Sequence, residues 1–148
     1  MILVSACLAG ENCRYDGKSC LSPAVRELVR RGRAVAVCPE VLGGLPVPRE
    51  RCEMTRDGEG NTRVVSERHN DFTAQYTLGA RASLFIAQAN NISTAVLKSL
   101  SPSCGFGEVY DGSFTGARTG GQGVAARLLV ENGIRVYTED QMPPIEEL

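Results

Sequence analysis

The chain has no tryptophan, one histidine and few aromatic side chains, and these shortages narrow its chemistry before any motif is considered. An aromatic face on which a single nucleic-acid strand could stack is missing. A surplus of either charge is missing as well: 16 Lys and Arg stand against 17 Asp and Glu, mixed along the chain rather than blocked into runs. That balance excludes the basic patch that a nucleic-acid polymer or an anionic membrane would need, and neither is an expected partner. No stretch approaches the roughly 20 apolar residues of a membrane span. The opening residues Met1 to Cys7 place no positive segment ahead of their short apolar run, unlike a secretory signal. A cytoplasmic location is expected, and the oligomeric state is left open.

Cysteine, by contrast, is plentiful. Six thiols in a reducing compartment are expected to be metal ligands, catalytic groups or inert core residues rather than structural disulfides. Without export, the Asn91-Ile92-Ser93 sequon carries no glycan. The length of 148 residues suits a single domain over 1–148 with a substantial core.

The apolar run Ile2 to Ala6 leads into a polar, glycine-bearing stretch from Gly10 to Gly17, as a buried strand leads into a loop. Ser22 and Pro23 supply an N-cap and a first-turn proline. Val25, Leu28 and Val29 then give an apolar face before Gly32, predicting a helix over 23–31. Ala34 to Cys38 is apolar throughout, the pattern of a strand covered on both faces. Residues 39–49 hold three prolines and two glycines and predict a long stiff loop without regular structure. A turn over 56–62, in a small hairpin, leads to Val64 and Val65. From Asp71 onward, Phe72, Tyr76, Leu78, Ala82, Phe85, Ile86 and Ala89 keep a helical period and predict a long amphipathic helix ending near Asn90. Thr94 to Leu97 is a third strand, followed by a Ser-, Gly- and Asp-rich loop from Lys98 to Gly121 of the kind that carries function. Gly123 to Asn132 is a last helix with Val124, Leu128 and Leu129 inward, and Ile134 to Tyr137 a fourth strand. Strands alternating with helices predict an α/β fold, a three-layer Rossmann-like domain with a mostly parallel sheet.

Cys7 falls just past the first strand, Cys38 at the end of the second, and Cys104 in the loop leaving the third. In a parallel sheet all three lie at the carboxyl edge, where open α/β sheets bind ligands, so thiols remote in sequence are expected to meet there. Each alone would pass for an ordinary core thiol; the shared topological position is what points to a site. Zinc takes four ligands in a closed site or a histidine-containing set when catalytic, and His69 stands apart, before the long helix. Iron-sulfur clusters take thiolates, and a cubane on three cysteines keeps one iron open to a substrate atom. Cys13 is a candidate fourth ligand, which would close such a cluster and favour a structural or electron-transfer role. Cys20 and Cys52 stand in polar loop sequence and read as bystanders. A thiol-disulfide exchange protein is disfavoured by the lack of a Cys-x-x-Cys pair.

Three groups of segments follow in order along nearly the whole chain. They are Ser5-Ala6-Cys7-Leu8-Ala9-Gly10 with Cys13-Arg14-Tyr15-Asp16-Gly17, then Cys38-Pro39-Glu40-Val41-Leu42-Gly43-Gly44-Leu45-Pro46, then Leu97-Lys98-Ser99-Leu100-Ser101-Pro102-Ser103-Cys104-Gly105 with Tyr110-Asp111-Gly112. Together they resemble the thiouracil desulfidase family. The resemblance implies a 4Fe-4S cluster held by Cys7, Cys38 and Cys104. It also implies catalytic roles for Glu40 and for a serine of the Ser-Pro-Ser-Cys segment, Ser101 ahead of Ser103. The implied reaction is non-redox removal of sulfur from a small molecule, a thiolated pyrimidine such as 4-thiouracil or its nucleotide. This chain departs from the family at Cys13, where some relatives carry an apolar residue, and at Glu50-Arg51-Cys52, where relatives tend to continue with proline and alanine.

The implied chemistry has a soft, open iron taking the thiocarbonyl sulfur, which makes the ring carbon electrophilic, while Glu40 takes a proton from the attacking water. Ser101 or Ser103 would orient that water or donate to the oxyanion. Arg14, Arg49 and Lys98, near the strand ends, read equally as surface charges and as contacts for a nucleotide phosphate. The alternative is a non-catalytic iron-sulfur or zinc protein in which Cys7, Cys13, Cys38 and Cys104 form a closed set.

Overall fold

A computed structural model describes residues 1–148. Its elements are β1 (Ile2–Ser5), α1 (Pro23–Arg30), β2 (Ala34–Val37), α2 (Pro39–Leu42), β3 (Cys52–Arg56), β4 (Thr62–Ser66), α3 (Thr73–Ala89), β5 (Thr94–Leu97), β6 (Phe106–Tyr110), β7 (Arg118–Gln122), α4 (Val124–Glu131) and β8 (Arg135–Thr138). The four strands read from apolar runs form one parallel sheet in the order β2-β1-β5-β8, with Leu3 opposite both Val35 and Ala95. Parallel neighbours need crossovers, and α1, α3 and α4 fill them. Successive side chains of a strand point to opposite faces, so each strand feeds two cores. Leu3, Ala95 and Leu97 pack against Ala87 of α3 and Ala126 and Leu129 of α4, while Ile2, Val4 and Val96 pack against Val25 and Leu28 of α1. The result is the expected α/β sandwich of helices, sheet and helices. No helix is long and apolar enough to cross a membrane.

Three expectations are corrected. Residues 39–49 are not wholly irregular: Pro39 stands at the first position of α2, where its fixed φ and missing N–H favour a helical turn. The stretch 98–121 contains the antiparallel hairpin β6-β7, with Val109 opposite Thr119. Its second strand, Arg-Thr-Gly-Gly-Gln, has neither the alternation nor the β-branched residues that mark a strand. On α3 the buried stripe is Tyr76, Gly79, Ala80, Ser83 and Ala87, whereas Leu78 and Phe85 face outward, Phe85 at 71% exposure. Small residues line the inner face because α3 lies close to its neighbours there.

The closest approach is to α2. A Cβ on Gly79 would overlap the Pro39 carbonyl oxygen, and one on Gly43 would overlap the Gln75 carbonyl oxygen, so the two backbones touch. Gly79→Ala is expected to destabilise the fold by about 1–3 kcal/mol through overpacking, although helix propensity alone would favour alanine by about 1 kcal/mol. Urea unfolding should show a lower midpoint at unchanged slope; an unchanged or higher midpoint would contradict the close contact.

Candidate active site

The carboxyl ends of β1, β2 and β5 open onto a cleft of about 310 Å³. Cys7 lies in a 3₁₀ turn that prolongs β1, Cys38 caps α2 directly after β2, and Cys104 lies in the turn ahead of β6; all three line the cleft, and Cys13 joins them. The Cys13 carbonyl accepts the Cys38 thiol at 3.8 Å and Arg49 Nη2 at 2.8 Å, which ties the first loop to the α2 segment. All six thiols of the chain are unpaired. No three His, Cys, Asp or Glu side chains converge as ligands of one ion would, although the Cys13 thiol is within hydrogen-bond reach of those of Cys7 and Cys38.

Burial pushes the Cys104 thiol up to about 12, against opposing hydrogen bonds from Ser5 and Ser103. At Cys13 the neighbouring Cys38 favours the thiolate, but the Cys7 thiol and burial outweigh it and carry the group to about 11. Cys38 is pushed up as well, by its bond to Cys13 and by burial.

Glu40 stands beside the thiols on the second residue of α2. Its Oε1 accepts the Tyr76 hydroxyl at 2.6 Å and its Oε2 accepts Arg49 Nη2 at 2.8 Å. Tyr76 comes from α3, so the glycine contact between α2 and α3 is what brings phenol and carboxylate together. The pair with Arg49 is sheltered, with side-chain exposures of 4% for Arg49 and 15% for Glu40. Burial opposes the Arg49 charge, but its neighbours together, Glu40 first and then Cys38, raise the guanidinium above its ordinary value. Burial and then the Glu40 charge raise the Tyr76 phenol, which stays a hydrogen-bond donor. Arg49 Nε is buried without a partner.

The serine segment is fixed from two sides. Ser101 Oγ accepts the backbone N–H groups of Ser103 and Cys104 at 3.1 and 3.0 Å and lies 3.0 Å from Ser103 Oγ. The first N–H groups of α4, which a helix leaves without internal partners, are used here: Val124 N donates to the Pro102 carbonyl and Ala125 N to the Ser103 carbonyl, both at 2.9 Å. Ser101 lines the cleft, whereas Ser103 is buried behind it with its hydroxyl donating to Cys104 Sγ at 3.6 Å.

The chain has counterparts among known proteins. The 2-thiouracil desulfurase family model matches residues 2–141. The chain belongs to that family. YbbK of Bacillus subtilis (strain 168) is 43% identical over 98% of this chain and 99% of its own length. A solved structure of a [4Fe-4S]-dependent thiouracil desulfidase, TudS, is 45% identical and superposes with a TM-score of 0.88, covering 99% of this chain and 95% of that one.

Beyond the thiols, glutamate and serines that the family resemblance singles out, the cleft has walls that motif reading missed. Cys52 is no loop bystander: it begins β3, is buried, and lines the cleft. Tyr76 passed for a core residue because a phenol on an apolar helix face looks like one until its hydroxyl finds Glu40. Arg51 and Tyr110 also line the cleft, and the break from the family pattern at 50–52 was the sole sign of Arg51. His69 lies outside the lining. Of the three cations weighed as phosphate contacts, Arg49 is spent inside the wall on Glu40. Lys98 Nζ is bound to Glu139 at 2.9 Å, and Arg14 donates to Cys20 Sγ at 2.6 Å.

The raised thiols give a reactivity test on the metal-free chain. Iodoacetamide at pH 8 is expected to modify the half-exposed Cys20 ahead of Cys13 and Cys104, whose alkylation should accelerate only toward pH 11–12. Peptide mass spectrometry reads the order, and equal rates at pH 8 would contradict it.

Proposed function

We propose that the chain is a thiouracil desulfidase that converts the thiocarbonyl of 4-thiouracil, or of its nucleotide, to a carbonyl with release of hydrogen sulfide. Cys7, Cys38 and Cys104 are the proposed ligands of a 4Fe-4S cluster. The observation that carries the proposal is one cleft faced by unpaired thiols and by a carboxylate anchored from two sides. Family membership and the likeness to a [4Fe-4S]-dependent relative support the same reading. The residues suit such a group: five unpaired thiols line the cleft and no histidine does. When bound, a cluster on three thiolates supplies an open iron, a soft acceptor for sulfur.

The chain's own groups then have distinct tasks. Glu40 is the base that removes a proton from water as its oxygen attacks the thiocarbonyl carbon. Each of its carboxylate oxygens accepts one hydrogen bond from the protein, so lone pairs remain for that water. Tyr76 and Arg49 hold the carboxylate in a single orientation, which lowers the entropic cost of meeting the water. Ser101 accepts two backbone N–H groups, so its hydroxyl proton points to Ser103 Oγ at 3.0 Å, and turning that proton into the cleft lets Ser101 donate to the developing oxyanion while Ser103 supports the segment from behind. Water and thiocarbonyl give carbonyl and hydrogen sulfide, so the reaction balances without net electron transfer. Residues 1–148 act as one domain in this reading, and six unpaired thiols suit the reducing cytoplasm. A second reading, a closed and non-catalytic four-thiol centre, draws on the presence of Cys13 in the same cleft.

Sulfide release from 4-thiouracil by anaerobically reconstituted protein tests the proposal. Glu40→Gln is expected to slow it about 100- to 10,000-fold, and Ser101→Ala about 100-fold, with iron content unchanged in both. No release by the wild-type protein, or full activity in Glu40→Gln, would overturn it.

A further inference from the structure

Cys104 is the most deeply buried of the three proposed ligands, at 4% exposure. A ligating sulfur has lost its proton, and a thiolate so far from water needs hydrogen-bond donors around it. Two hydroxyls reach it. Ser103 Oγ donates to Cys104 Sγ at 3.6 Å, and Ser5, the last residue of β1, is within hydrogen-bond reach of the same sulfur. Both serines are buried, Ser5 at 2% and Ser103 at 1% exposure, so bulk water does not compete for their protons. The proposed reaction gives Ser5 no task.

Each hydroxyl is itself held by a donor. The Lys98 backbone N–H donates to Ser5 Oγ at 2.9 Å. Ser101 Oγ lies 3.0 Å from Ser103 Oγ, and its own oxygen is taken up by the amides of Ser103 and Cys104. A hydroxyl has one proton to give. With its oxygen accepting from Lys98, Ser5 has its proton free for Cys104. The same count sends the proton of Ser101 to Ser103 and that of Ser103 to the sulfur. Donors chained in this way polarise one another and strengthen the last bond of the chain. The two chains start from different places, one from the end of β5 and one from the serine segment, and end on a single sulfur.

We infer that Ser5 and Ser103 are positioning residues acting through Cys104: their two O–H···S bonds draw negative charge from the ligating sulfur and so leave the iron a stronger acceptor for the sulfur of the substrate. Hydrogen bonds to ligand sulfurs are a recognised lever on the electronics of such centres. The inference rests on the desulfidase reading, with Cys104 as a cluster ligand.

Redox titration of anaerobically reconstituted wild type, Ser5→Ala, Ser5→Thr and Ser103→Ala tests it. Loss of an O–H···S bond leaves more charge on the sulfur and disfavours the reduced, more negative cluster. Both alanine variants are therefore expected to shift the midpoint potential to more negative values. Ser5→Thr keeps the hydroxyl and should restore the wild-type potential. Iron retention against a chelator should fall about 10- to 100-fold in Ser5→Ala. Thermal unfolding of the metal-free chains checks that the variants are folded, and Ser103→Ala carries the test if Ser5→Ala is not. A midpoint unmoved in both alanine variants would overturn the inference and leave the cluster reading standing. So would a shift to more positive values, the mark of water let in to solvate the reduced cluster, or a shift that Ser5→Thr shares, the mark of altered packing. A wild-type chain that holds no iron would overturn both readings.

Discussion

Everything in the cleft depends on the parallel pairing of β1 with β2 on one side and β5 on the other. Because those strands run in one direction, each delivers its following turn to the same edge, and each of those turns carries a cysteine. Nothing local would bring Cys7, Cys38 and Cys104 together. A one-residue slip of any strand would exchange the side chains it sends to the two cores, so the packing of both faces of the sheet also holds the thiols in position.

A second constraint adds a carboxylate to the thiols. The touching backbones of α2 and α3 at Gly43 and Gly79 set Glu40 against Tyr76, and Arg49 closes the pair from the other oxygen. A third pins the serines: the first amides of α4 bind carbonyls of Pro102 and Ser103, and Ser101 gathers the amides of Ser103 and Cys104 onto its own hydroxyl oxygen. Thiols come from the sheet, the base from a helix contact and the hydroxyl from a helix terminus. These are rigid elements, which suits a site that must hold several groups in fixed relation.

Much of this was legible in the residues. Strands β1, β2 and β5 are largely apolar because both faces of the sheet are covered, and the strand-end rule alone grouped the three cysteines. What stayed hidden was non-local. The inner face of α3 could not be found by hydrophobicity, because close approach to α2 selects Gly79, Ala80 and Ser83 over Leu78 and Phe85. Strand β7 could not be found by propensity, since its glycines pair with β6 through backbone alone. Cys52 and Tyr76 acquire meaning only through partners distant in the chain, Glu40 for the phenol.

The measurement that bears most directly on the proposed centre is the iron and acid-labile sulfide content of protein reconstituted without oxygen, made for the wild type and for Cys13→Ser and Cys104→Ser. The expected result is about four irons and four sulfides per chain in the wild type and in Cys13→Ser, with Cys104→Ser holding neither stably. Full loading of Cys104→Ser, or loss of the centre in Cys13→Ser, would contradict a cluster held by Cys7, Cys38 and Cys104.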